Sequence, residues 1–255
     1  MKKITTVLSL LIGLSIIATG QSNADLQKKA LVYRNAGQSK EALTIFEGLL
    51  KQDSANLNYL QYTSYLIAKV WHDKSDIDAS AAAPYYSKAL YLAGKALKID
   101  SNSAEANYAY AFAVGVINET ASNKQQIANA KIMKDHIDKC LKFSPHHGGA
   151  FHLLGRWSRR LAEFSGVEKF AVKALYGATL PVATYKDAAD AFEKAIVAEP
   201  DWLIHYYELA YTYYEMDKYA DAKIWLQQAI SNTTFKGDDA QDVKDKCKKL
   251  LAKLN

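Results

Sequence analysis

The stretch "DAADAFEKAIVAEP" (residues 187–200) decides the fold. Its small, large and small residues Ala188, Phe192 and Ala195 stand four and three apart, so they share one face of a helix, and Pro200 ends it. The same order returns 34 residues later as Ala222, Leu226 and Ala229. Near the other end of the chain Leu26, Ala30 and Tyr33 return at the same step as Leu60, Ser64 and Ile67. Small residues let two helices approach closely, and large ones fill the groove against the next pair.

A 34-residue step is the tetratricopeptide period, one antiparallel helix pair per unit. Applied along the chain it predicts an all-α, right-handed tetratricopeptide-like α-solenoid of about five helix pairs. The units fall near 23–56, 57–103, 104–147, 148–202 and 203–236, with a capping helix over 238–255. The second, third and fourth units exceed 34 residues, which predicts insertions between their helices near 72–83, 118–127 and 161–183. In the cap, Asp238 is the expected N-cap with Gln241 completing a capping box, and Ala240, Val243, Cys247, Leu250 and Leu254 form the apolar stripe. No strand-like alternation interrupts the pattern.

The first 20 residues read as an export signal. Lys2 and Lys3 precede an apolar run over residues 7–19, and Ala18, Thr19 and Gly20 offer small residues for cleavage before Gln21. No cysteine follows the run, so no lipoprotein anchor is expected, and the mature chain is expected in the periplasm or cell envelope. The net charge of +5 is spread among interleaved acids and bases, which points away from nucleic acid. The two cysteines, Cys140 and Cys247, fall on units that are not neighbours, and two buried free thiols are expected.

Scarce side chains gather in "SPHHGGAFHLLGRWSRRLAE" (residues 144–163), with three of the six histidines and three of the four arginines. The histidines do not stand four apart on one helix face, so no metal site is predicted. His146 and His147 belong to a polar turn in which Gly148 and Gly149 are expected to relieve backbone strain. His72, His136 and His205 read as solvated or structural. No Gly-x-Ser-x-Gly elbow and no glycine-rich phosphate loop is present, so no catalytic residue, cofactor or enzymatic activity is expected. What packing leaves over is a face for binding. The first helix of each pair lines the inner surface, which places His152, Arg156 and Arg159 there with Arg160 beside them. Tyr108 and Phe112 of the third unit and Tyr207, Tyr211 and Tyr214 of the fifth join them. The expected groove has aromatic walls and one cationic ring, suited to a peptide carboxylate or a lipid headgroup. Leu161, Phe164, Val167, Phe170, Ala174 and Leu175 of the fourth insertion stand at helical spacing, as a lid over a lipid-sized cavity or as ordinary packing.

Three blocks, "FHLLGRW" (151–157), "GVEKFAVKALYGATLPVATYKDAADAFEKA" (166–195) and "DDAQDVKDKCKKLL" (238–251), resemble the regulator of microtubule dynamics family. The resemblance implies a helical-repeat interaction domain with no known reaction. Members of the family are tied to microtubules or to phospholipid transfer at organelle contacts. An exported protein would not meet microtubules, so the expected partner is a protein or peptide, with an anionic lipid as the alternative.

Overall fold

The computed structural model describes residues 21–73, 79–164, 174, 183–237 and 239–254. Helices start where side chains satisfy the free backbone N–H groups of a first turn. Ser22 caps α1 (Asn23–Asn35) by accepting from the Asp25 amide at 3.1 Å. Asn56 accepts from Asn58 and Tyr59 at 3.1 and 3.3 Å to open α3 (Leu57–His72), and Ser103 opens α5 (Ala104–Asn118) at 3.2 Å. The partners α2 (Ser39–Gln52), α4 (Ala79–Ile99) and α6 (Asn123–Phe143) run back against them. The fourth pair is α7 (Gly148–Glu163) and α8 (Tyr185–Ala198), the latter begun by a Thr184–Asp187 capping box. The fifth is α9 (Leu203–Glu215) and α10 (Tyr219–Ser231), and α11 (Ala240–Lys253) covers the end. Among the described residues, five helix pairs and a cap give the all-α tetratricopeptide-like solenoid that the period predicts.

The first and last pairs turn in the same way. Gln38 N–H reaches back to Tyr33 C=O at 2.9 Å, and Lys218 N–H to Tyr213 C=O at 3.0 Å. Each bond requires a left-handed residue just past the helix, Gly37 at φ 77° and Asp217 at φ 57°.

Among the described residues four cores follow one another along the chain, one at each junction between units. Ala188, Phe192 and Ala195 are fully buried, as are their counterparts Ala222, Leu226 and Ala229. The α7–α8 contact is tight, because a Cβ on Gly155 would stand 2.6 Å from Cε1 of Phe192. Cys140 and Cys247 lie in different cores as free, buried thiols, and burial pushes both up to about 12.

Several details differ from expectation. The extra residues of the second and third units lengthen the outer helices α4 and α6 to 21 residues each. Gly148 and Gly149 are the first residues of α7, and close approach explains them. A Cβ on Gly149 would meet the Tyr108 hydroxyl at 2.6 Å, and one on Gly148 would meet the Glu199 carboxyl carbon at 2.5 Å. The proposed capping residue Asp238 lies outside the described residues, as does most of the 161–183 insertion. Gln241 donates to Asp245 at 3.1 Å, and Asp239 occupies the N-cap position with no side-chain capping bond. The stripe of Val243, Cys247 and Leu250 is buried against the fifth pair.

The inner surface is not an open groove. After α10 the chain folds back over the start of α9, where Lys236 N–H donates to Asp201 C=O at 2.9 Å. That brings Gly237 against Gly37, so closely that a side chain at Gly37 would collide with the Gly237 backbone. Lys69 Nζ lies 3.2 Å from Asp239 and 5.9 Å from the centre of the Trp202 ring. The first pair and the C-terminal segment meet, and the solenoid closes into a ring.

Candidate functional site

The ring surrounds a cavity of about 870 Å³ walled by the inner helices α1, α3, α5, α7 and α9 and by α11. The capped starts of α1, α3, α5 and α7 fix the heights at which their side chains reach it. Tyr65 of α3 and Tyr108 and Phe112 of α5 form one aromatic wall, with ring centres 5.1–6.1 Å apart. His147 caps α7 by accepting from the Ala150 amide through Nδ1 at 3.1 Å, and its ring lies 4.5 Å from that of Tyr108.

Charges around the wall alternate in sign. Glu119, at the end of α5, accepts from Arg156 at 2.7 Å and from His72 at 3.2 Å through one oxygen. Burial alone would raise Glu119, but His72 and Arg156 outweigh it and hold the carboxyl down at about 2. Burial alone would lower His72, but hydrogen bonds to Asp73 and Glu119 lift it to about 9, so it is a cation at neutral pH. Lys69 lies between Asp73 at 2.6 Å and Asp239 at 3.2 Å. Arg34 of α1 faces Glu105 at 3.4 Å, with the ring centres of Tyr62 and Tyr65 5.3 and 5.5 Å from its guanidinium. Across the cavity His152 and His205 meet Nδ1 to Nδ1 at 2.9 Å, and His205 Nε2 lies 3.3 Å from Glu199. Burial opposes the charge on Glu199, but the His205 hydrogen bond and nearby cations hold the carboxyl below its usual range.

The residues expected to bind therefore divide. His152, Arg156, Tyr108, Phe112 and Tyr207 line the cavity. Arg159 does not. Its guanidinium is clamped on the Glu208 carboxylate at 2.5 Å, donates to the Glu208 carbonyl and Thr212, and lies 4.9 Å above the Tyr211 ring. Tyr207, Tyr211 and Tyr214 stack in a file with centres 6.2 and 6.1 Å apart, and Tyr214 continues to Tyr219, so the file runs out of the cavity along α9. Arg160 is exposed and pairs with Glu163 and Gln126. The cationic ring expected from the sequence is thus bipolar, because each arginine meets an acid from another element or turn. His205, read as solvated or structural, is not solvated; it is 3% exposed and reaches into the wall. The acids and bases at Arg34, Lys69, His72, Glu105, Glu119 and Glu199 carry no shared motif. The signal available for them was their place on the inner helices or at helix ends.

A second, smaller cleft of about 400 Å³ lies between α5, α6 and α7. Val116, Met133, Leu153, Trp157, Leu161 and Phe164 supply its apolar lining, with Arg159 and Arg160 at its edge. The Trp157 indole N–H donates to the Ala130 carbonyl at 2.8 Å, so the large ring is held in a fixed position.

Among solved structures, a tetratricopeptide-repeat protein of Thermus thermophilus matches the fold with a TM-score of 0.61 at 14% identity, covering 91% of this chain and all of that one. Regulator of microtubule dynamics protein 1 of Bos taurus is 30% identical over 155 residues, 60% of this chain and 49% of that protein. The corresponding protein of Caenorhabditis elegans is 30% identical over 159 residues, 62% of this chain and 70% of that protein. Regulator of microtubule dynamics protein 3 of Bos taurus is 28% identical over 182 residues, 70% of this chain and 38% of that protein. The chain spans about half the length of the first of these relatives. A family model described as regulator of microtubule dynamics protein 1-3 matches residues 26–255, and the chain belongs to that family.

Proposed function

We propose that this protein is a non-enzymatic, exported interaction module that takes a segment of a protein or peptide partner into its central cavity. The observation that carries the proposal is the closed ring of inner helices around a wall where aromatic rings alternate with paired charges. Such a wall suits an extended peptide with side chains of both signs, since each partly exposed pair can exchange one partner for a ligand group. Rigid helices lower the ordering cost of binding. The segment over residues 1–20 supports export, and a mature chain beginning at Gln21 in the envelope fraction is the expected mass-spectrometric result. Microtubules enter only through the names of the relatives. The test is capture of a partner from envelope extract by the mature protein. Arg156→Ala and Tyr207→Ala abolish capture if the cavity is the site, and Arg160→Ala leaves it intact. Equal capture by all three variants removes the cavity from the proposal.

The smaller cleft favours a second reading, an anionic amphiphile with its tail among Leu153, Trp157 and Leu161 and its headgroup at Arg160. Native mass spectrometry of freshly purified protein distinguishes the two. A bound lipid lost on Leu153→Trp supports the amphiphile, and a clean apo mass rejects it.

A further inference from the structure

The contact between His152 and His205 obeys a valence rule. Two imidazole nitrogens 2.9 Å apart need one proton between them. His205 turns Nε2 toward Glu199, so in its neutral form it holds its proton there and leaves Nδ1 as an acceptor for the Nδ1–H of His152. One added proton is tolerated, because a charged His205 donates through both nitrogens while His152 changes tautomer and accepts. A second added proton sets two N–H groups against each other and breaks the contact.

The surroundings refuse that second proton at neutral pH. On α7 itself Arg156 and Arg159 flank His152, and Lys69 approaches from α3. From α8 the neighbour is uncharged, the edge of Phe192 at 5.6 Å. The nearby acids are committed: Glu119 of α5 to Arg156 and His72, Glu208 of α9 to Arg159, and Glu199 to His205. Lys246 of α11 adds a further positive charge near Glu208. Burial, and then the charges of His205, Arg156, Arg159 and Lys69, hold His152 well below the usual histidine range.

We propose that the His152–His205 pair is a proton-operated clasp between α7 and α9, which releases when both rings are charged and so makes the central cavity acid-sensitive. The proposal rests on the cavity being the binding site, whose regulation it describes. It acts beside a second link between α7 and α9, the contacts of Arg159 with Glu208, Thr212 and Tyr211. The sign follows from linkage. A base whose folded-state value is lowered stabilises the closed form fully at high pH, and that stabilisation is lost as the pH falls below the ordinary histidine value of about 6.5.

The test uses the protein alone, so failure to capture a partner leaves it intact and its own failure leaves partner capture intact. Amide hydrogen exchange, corrected for intrinsic rate, is measured at about pH 7.5 and about pH 5, the range over which histidine changes charge. Protection in α7 and α9 is expected to fall about tenfold, the factor for one pKa unit, with α2 and α10 unchanged. His152→Asn keeps a side chain that hydrogen-bonds without titrating, and its α7 and α9 protection is expected to stay constant. His205→Gln, which keeps the reach toward Glu199, carries the same test if His152→Asn does not fold. An equal fall in wild type and variant, or no fall in wild type, overturns the proposal. So does stoichiometric zinc binding that shifts both imidazole signals at neutral pH, which would make the pair a metal site.

Discussion

At the residue scale, Arg159 and Arg160 are neighbours with opposite fates. Arg159 is buried on Glu208, with side-chain exposures of 12% and 10%. Removing one member of such a pair leaves a bare charge inside the protein and costs about 3–5 kcal/mol. Arg159→Ala is therefore expected to lower unfolding free energy by about 3 kcal/mol in a denaturant titration. Arg160→Ala changes it by less than about 0.5 kcal/mol, as for other exposed ion pairs. Both arginines look alike in sequence, because the acid that captures Arg159 lies 49 residues away. The histidines divide similarly. His72, lifted to about 9 by Asp73 and Glu119, gains its partners as a cation. Its contribution is complete below about pH 6.5 and is lost as the pH rises through about 9. NMR titration is expected to show His72 still charged at about pH 8 while His152 stays neutral at about pH 6. A His72 midpoint at the ordinary value would contradict the Glu119 bridge.

At the element scale, helix pairing was legible because it is local. Ala188, Phe192 and Ala195 announce their face through spacing alone, and their 34-residue echo supplies the architecture. The caps at Ser22, Asn56 and Ser103 follow from residue type. The purpose of Gly148 and Gly149 was not legible, since the groups that demand their smallness, Glu199 and Tyr108, lie far away in sequence, at the end of the same unit and in the unit before. Gly155 shows how tight such contacts are. Gly155→Ala must displace Phe192 and is expected to cost about 1–3 kcal/mol, read as a lower denaturant midpoint with an unchanged slope. A neutral result would mean that α7 and α8 are not in the contact described.

At the scale of the whole molecule, the decisive contact joins residues 170 apart, Lys69 and Asp239, and no periodicity reports it. Repeat patterns describe each unit against the next, so they predict a curved row and are silent about whether its ends meet. Closure turns an open face into a cavity of about 870 Å³ and sets mixed charge around it. Spin labels on the exposed residues Gln38 and Thr234, either side of the Gly37–Gly237 contact, are expected to give one short, narrow distance distribution. Lys69→Ala removes the bond to Asp239, and the distribution is expected to lengthen and broaden.

The most direct test of the central claim, that the ring's interior receives the partner, is site-specific photo-crosslinking in the intact envelope. A photoreactive phenylalanine is placed at Tyr207 on the cavity wall and, in a second protein, at Tyr91, which is 66% exposed on the outer helix α4. The account predicts a partner adduct from position 207 and none from position 91. Adducts from position 91 with none from position 207 would place binding on the outer surface and contradict it.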